Sequence, residues 1–353
     1  LESLPFQLTK AQIRVLAEFR EDLSVQHPMR RLLQGDVGSG KTVIAVMAAL
    51  MVLESGYDAS MMAPTTLLAE QHYRTISQWL APYPIQVALH TGNTKTPTKS
   101  ELPLFTIGTH ALIQSNETSK KLGMVIIDEQ HKFGVTQRDK LLRRGAHPHL
   151  LVMTATPIPR TMALTLYGDL DISTLEEMPA GRGSLKTYLR TANSRPKVLS
   201  FLKKQIGTGR QAYFVFPRVE EKEESEITAV TKELSVLSEY FAPFRVAMVH
   251  GKMKSEEKDR IMRSFSDGET QILLATTVIE VGVDVPNATV MVIEDAEQFG
   301  LAQLHQIRGR IGRGLHASHC ILIGDETKKE AWERLKVLER TRDGFLIAEA
   351  DFK

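Results

Sequence analysis

The sequence predicts an α/β protein of two domains, each a mainly parallel sheet flanked by helices. Its 353 residues exceed the roughly 100–200 of an ordinary domain. Short apolar runs alternate with amphipathic stretches almost throughout. Near-continuous Val/Ile/Leu runs suit strands covered on both faces, and the βαβα rhythm builds an open parallel sheet. The rhythm breaks at Met178-Pro179-Ala180-Gly181-Arg182-Gly183, a Pro/Gly-rich stretch without periodicity, and then restarts. This sets domains at residues 1–179 and 180–323, with a further segment at 324–353.

In the first half, RRLLQGD, ASMMAP, IQVALH, PLFTIGT, GMVIIDE and HLLVMTATP read as buried strands. Over Thr66–Leu80, the residues Leu67, Leu68, His72, Ile76 and Trp79 fall near one side of a helix. In the second half, SLKTYLR, QAYFVFP, FRVAMVH, TQILLATT, ATVMVIE and SHCILIG are strand-like. Helical segments at Pro196–Ile206, Glu226–Phe241, Lys254–Phe265 and Leu301–Arg308 separate them. The acidic run Glu220–Glu226 (with Lys222) reads as a solvated loop or helix start. From Glu326 to Arg342 the pattern is one long helix, followed by DGFLIAEADFK.

Lys and Arg number 44 against 42 Asp and Glu, a net charge of +2. That excludes attachment to nucleic acid by bulk charge, so any such contact is local. A hydrophobic share of 42% with 24% charged residues is ordinary for a globular protein that buries a real core. The single cysteine, Cys320, rules out an internal disulfide and a zinc site of several cysteines. His72, His90, His250 and His305 lack metal-ligand spacing and read as surface or core residues. The best apolar run, Val43 to Leu53, is shorter than the roughly 20 residues of a membrane span. The first residues lack the layout of a signal peptide. A soluble protein of a reducing compartment is expected, with no membrane partner.

The chemistry is concentrated in two places. Gly35-Asp36-Val37-Gly38-Ser39-Gly40-Lys41-Thr42 fits G-x-x-x-x-G-K-[ST] without a gap, between an incoming strand and an outgoing apolar helix. Gly35, Gly38 and Gly40, with Ser39 between, let successive N–H groups turn around an anion, and the helix N-terminus adds its dipole. Lys41 brings a point charge to the β- and γ-phosphates, and the Thr42 hydroxyl ligates Mg²⁺. Further on, Met124-Val125-Ile126-Ile127 runs into Asp128-Glu129-Gln130-His131. Two adjacent carboxylates at the end of a buried strand are costly without a cation or hydrogen bonds. Asp128 is the expected Mg²⁺ partner, through water, and Glu129 the general base for an attacking water.

With these sites in place, the chain resembles the motor of superfamily 2 helicases, in an ordered set of motifs covering nearly its whole length. The resemblance implies ATP as the nucleotide, DNA as the partner, and two RecA-like domains with ATP in the cleft between them. Phe6-Gln7-Leu8-Thr9 followed by Gln12 resembles the adenine-reading segment, in which Gln12 bonds the base and Phe6 stacks nearby. Ala63-Pro64-Thr65, Thr91-Gly92 and Gly108-Thr109-His110 are similar to motifs that hold the DNA backbone. They put Pro64, Thr65, Gly92, Thr109 and His110 on the strand, with Thr277 from the second domain. His131 completes a DEQH motif beside the γ-phosphate, and Thr154-Ala155-Thr156-Pro157 resembles the segment that couples hydrolysis to movement. Ala275 to Asp284 resembles motif V, bringing Gly282 and Asp284 to the nucleotide. Gln306 to Arg313 resembles motif VI, in which Gln306 joins them and Arg310 and Arg313 reach the cleft as arginine fingers. Lying three apart, these arginines would share one face of a helical turn. Contacts confined to phosphates carry no base information, which suits a near-neutral motor that must step.

Within the superfamily, the resemblance is to helicases that remodel branched DNA, at replication forks and Holliday junctions, in recombination and repair. The transcription–repair coupling factor, which shares Phe299-Gly300-Leu301-Ala302-Gln303-Leu304, is the closest alternative. Glu280 to Asn287 and Asp343 to Asp351 lean towards the former. The segment from 324 resembles a helical hairpin that passes motor movement to duplex DNA. By the same resemblance the hairpin is cut at Lys353 and a junction-splitting wedge domain is missing before Leu1. A monomer of the bacterial cytoplasm, at the nucleoid when on forks, is implied. Two rivals belong to other classes: a nucleotide-dependent switch that binds ATP and DNA without translocating, and an RNA-directed remodeller. Glu129 and the two arginines oppose the switch.

Overall fold

The computed structural model describes residues 7–92, 94–98, 101–114, 121–129, 147–155, 169–178, 183–217, 223–276 and 284–351. The chain forms two compact units, Leu1–Pro179 and Ala180–Lys353. Among the described residues, no helix is long and apolar enough to cross a membrane.

The first unit runs α1 (Lys10–Ser24), β1 (Arg30–Gly35), α2 (Lys41–Glu54), β2 (Asp58–Met62), α3 (Thr66–Leu80), β3 (Gln86–His90), β4 (Leu104–Gly108), α4 (Ala111–Gln114), β5 (Leu122–Ile127), β6 (His149–Thr154) and β7 (Asp171–Leu175). These strands form a parallel sheet in the order β3-β4-β2-β5-β6-β1-β7. The central strands β5 and β6 are buried along almost their whole length, which is why they read as apolar runs. Strand β7 is the one the sequence pattern missed. Its DISTL mixes polar and apolar residues because it lies at the sheet edge. One face of the sheet packs on α1, α2 and α3, with Phe19, Ile44, Met61 and Phe105 fully buried between.

The second unit runs β8 (Leu185–Thr191), α5 (Arg195–Gly207), β9 (Gln211–Val215), α6 (Glu223–Phe241), β10 (Val246–Val249), α7 (Ser255–Ser266), β11 (Ile272–Ala275), β12 (Ala288–Ile293), α8 (Leu301–Arg308), β13 (Ser318–Gly324), α9 (Lys329–Arg340) and α10 (Gly344–Asp351). Its strands are parallel too, in the order β10-β11-β9-β12-β13-β8. Alternation along β9 feeds two cores. Tyr213 and Val215 join one, Ala212 and Phe214 the other.

The helix expected over Glu326–Arg342 is α9, and a second helix, α10, follows it within DGFLIAEADFK. The chain turns at Thr341-Arg342-Asp343, where Asp343 Oδ1 accepts from the Phe345 N–H at 2.8 Å and starts the second helix. One expectation fails here for a physical reason: Arg310 and Arg313 do not share a helical face. Helix α8 ends at Arg308, and Gly312, at φ +77°, holds a left-handed turn that a side chain disfavours.

Candidate nucleotide-binding and catalytic site

The predicted phosphate loop joins β1 to α2. Gly40 is the N-cap of α2 at φ +89°, with no side chain capping the helix. The N–H groups of the first helical turn are therefore those an anion can accept from. A Cβ on Gly40 would also collide with Gln12 Nε2. Gln12 is buried at the start of α1, and both ends of its amide are engaged. Oε1 accepts from the Thr9 N–H at 2.9 Å, closing a capping box, and Nε2 donates to Ser39 O at 2.9 Å. The predicted adenine reader thus also fastens α1 to the loop. Lys41 Nζ donates to Gly35 O at 2.7 Å and Asp36 O at 2.9 Å, which holds the ammonium within the loop. Ser39 Oγ is fully buried without a hydrogen-bond partner, and Thr42 lies half-buried in the first turn of α2.

Asp128 follows β5, which is separated from β1 by β6 alone. It is buried, and its N–H donates to Met62 O at 2.9 Å. His72 Nε2, from α3, lies 2.9 Å from Asp128 Oδ2. Burial works against the charge of Asp128. The His72 ring, Lys41 and the Glu129 N–H nonetheless hold its carboxyl below the usual carboxylate range. Glu129 takes a positive φ of 53°, a conformation costing a non-glycine residue of order 1 kcal/mol. Such strain at the residue predicted to be the base is consistent with a turn fixed for function.

The predicted backbone-holding residues gather at the C-terminal ends of adjacent strands. Ala63 N–H donates to Gly108 O at 2.8 Å and Thr109 N–H to His90 O at 3.2 Å, so the ends of β2, β4 and β3 are laced together beside Asp128. Thr65 caps α3, its hydroxyl accepting from the Leu68 N–H at 3.3 Å. Pro64 and Thr65 are half-buried, while Gly92 and His110 are exposed. Thr109 is buried, so the surface there is offered by His110 instead. Phe6, His131, Gly282 and Thr277 lie outside the described residues.

In the second unit, the arginines of the 306–313 segment differ from one another. Arg308 is 2% exposed. It donates to Leu338 O at 2.8 Å, Thr341 O at 3.1 Å, Thr187 Oγ1 at 3.2 Å and His305 Nδ1 at 2.9 Å. Arg313 is ion-paired with Asp284, and its Nε donates to Gly309 O at 3.0 Å. Arg310 is buried. Burial pushes the Tyr213 phenol up to about 12, against the opposing charges of Arg310 and Arg313. Gln306 is half-buried on α8. The His72–Asp128 contact and the anchoring of Arg308 were missed in the sequence. Nothing in residue spacing pairs a helix histidine with a carboxylate 56 positions away.

Two family models match the chain: DEAD/DEAH box helicase over residues 9–165, and helicase conserved C-terminal domain over 197–314. Fold and motifs together make this a superfamily 2 helicase pair of RecA-like domains. The chain is 51% identical to the ATP-dependent DNA helicase RecG of Synechocystis sp., over 99% of this chain and 43% of that protein. It is 46% identical to RecG of Bacillus subtilis, over 100% of this chain and 53% of that one. A solved structure of RecG bound to a three-way DNA junction is 45% identical, with a TM-score of 0.88, over 100% of this chain and 47% of that chain. The chain belongs to the RecG family, and it spans about half the length of the curated relatives it matches.

Proposed function

We propose that this chain is the ATP-driven motor of a DNA helicase that acts on branched DNA, coupling hydrolysis to movement on duplex in recombination and repair. The observation that carries this is one sheet holding a glycine-capped helix, Lys41 within its loop and the ionised, buried Asp128 a single strand away. The first-turn N–H groups of α2 and Lys41 bind the β- and γ-phosphates, Lys41 exchanging loop carbonyls for phosphate oxygens. The donor set fits Mg²⁺, a hard cation that takes one or two protein oxygens beside phosphates. Thr42 and Asp128 would hold it, and when bound it neutralises charge on the transferring phosphoryl group.

Glu129 takes a proton from the attacking water, and Arg310 and Arg313 contribute positive charge in the transition state. Phe6 and Gln12 form the adenine-reading segment, with His131, Gly282, Asp284 and Gln306 also serving the nucleotide. Pro64, Thr65, Gly92, His110 and Thr277 hold DNA through phosphates, without reading bases, and the buried Thr109 backs His110 from behind. We assign the junction-splitting wedge to a further domain and the hairpin at 324–353 to transmission of movement, in a cytoplasmic monomer. The structure of a relative bound to a three-way junction supports branched DNA as the substrate. ATP turnover with Mg²⁺ is to be compared without nucleic acid and with single-stranded DNA, duplex, a three-way fork and RNA. Greatest stimulation by the fork is expected. Stimulation by RNA alone, or by nothing, would refute it.

A further inference from the structure

We propose that His72 is a positioning residue for Asp128, tying the orientation of the metal-side carboxylate to helix α3. This rests on the nucleotide-site reading above. His72 lies two turns beyond the Thr65 cap and is 8% exposed. Its Nε2 stands 2.9 Å from Asp128 Oδ2. An ionised carboxylate can only accept, so Nε2 carries the proton and the ring donates. Asp128 is fixed a second time through its N–H, which donates to Met62 O at 2.9 Å. Met62 ends β2, and β2 leads through Ala63-Pro64-Thr65 into α3. Both attachments therefore come from one continuous segment, whose turn carries candidate DNA-phosphate contacts.

A carboxylate gripped at one oxygen by a buried donor has little freedom to rotate. Fixed orientation is what a water-mediated contact to a cation needs, and partners of this kind set metal affinity from outside the ligand shell. A histidine serving the core alone gains nothing from pairing with Asp128, a buried carboxylate on the strand two places from β1.

The test uses the full chain with three variants. His72→Gln keeps a side-chain donor, His72→Phe keeps the volume without one, and His72→Ala is a second donor-less variant should the phenyl ring not be accommodated. Mn²⁺ binding to the ADP-loaded protein is titrated by the loss of the free Mn²⁺ EPR signal, and kcat and KM for ATP are measured beside it. In the donor-less variants Mn²⁺ should bind about 10-fold more weakly. ADP affinity in EDTA should be unchanged, and kcat should fall with KM within about two-fold. His72→Gln should recover most of both losses. Parental Mn²⁺ affinity in a folded donor-less variant overturns the proposal, and so does an equal loss in His72→Gln. Lys41→Ala separates the two levels. If it leaves nucleotide binding intact, the site assignment fails; if it abolishes binding while His72→Phe holds Mn²⁺ normally, only the positioning role fails.

Discussion

Lys41 and Arg308 are both buried cations at a helix end, and the fold holds them for opposite purposes. Lys41 opens α2, at the positive end of its dipole, where a cation is disfavoured unless an anion joins it. Its ammonium donates to two carbonyls of its own loop, which phosphate oxygens can replace. Arg308 closes α8, at the negative end, where a cation is welcome. It is committed to four acceptors, two of them at the C-terminal end of α9, whose carbonyls lack helical partners. Membership in a motif does not assign a side chain its job. How readily its partners exchange does.

This contrast can be broken first at turnover. Lys41→Ala should abolish productive ATP binding, whereas Glu129→Gln should leave binding nearly intact and stop hydrolysis, because Lys41 holds ground-state charge and Glu129 acts on the water. Hydrolysis at the parental rate in Glu129→Gln would remove it as the base. The arginines sharpen the contrast further. Arg310→Ala and Arg313→Ala should each slow hydrolysis by roughly 10³ or more, with affinity changed far less. Arg308→Ala should instead lower the stability of the second unit by about 2–4 kcal/mol in denaturant unfolding, since it strands buried carbonyls. An Arg308→Ala protein of normal stability that no longer turned over would move Arg308 into the catalytic set.

The strand–loop–helix around Lys41, the place of Asp128 at the end of β5 and the buried strands were legible because each depends on local spacing or on an unbroken apolar run. What the sequence hid was set by contacts between distant segments. Strand β7 is half polar because an edge strand has one neighbour. His72 looked like a core histidine until β5 brought Asp128 against α3. A three-residue interval placed Arg310 and Arg313 on a helix, but α8 ends at Arg308, ahead of both.

A smaller effect probes how the arginine segment is braced. Asp351, in α10, accepts from the Leu301 N–H at 2.9 Å and the Ala302 N–H at 3.0 Å, capping α8 from fifty positions downstream. Asp351→Ala should cost the second unit about 1 kcal/mol in denaturant unfolding, and Asp351→Asn less, because the amide still accepts but loses the charge that favours a helix N-terminus. No change in Asp351→Ala would mean that α8 is held by packing alone.

The smallest effect concerns the sheet that carries the phosphate loop. His149 opens β6, and its Nδ1 accepts from the Met29 N–H at 2.9 Å, just ahead of β1. An accepting Nδ1 cannot be protonated, so this bond requires the uncharged ring. Burial lowers the pKa of His149, partly offset by the charge of Asp22. A histidine whose folded-state pKa lies below the unfolded value of about 6.5 gives its full stabilisation above that pH. The stabilisation is lost as pH falls through the folded value, because the unfolded chain then binds the extra proton. His149→Gln provides the control, since its amide oxygen can accept from Met29 and does not titrate. Urea midpoints for the two proteins should differ by a constant amount above pH 7, and the parent should lose ground to the variant as the pH is lowered to 5. Since His149 is only half-buried, the shift should be small. Parallel curves over the whole range would show that the Met29 bond tolerates protonation and that β6 is not the acid-sensitive element of the first unit.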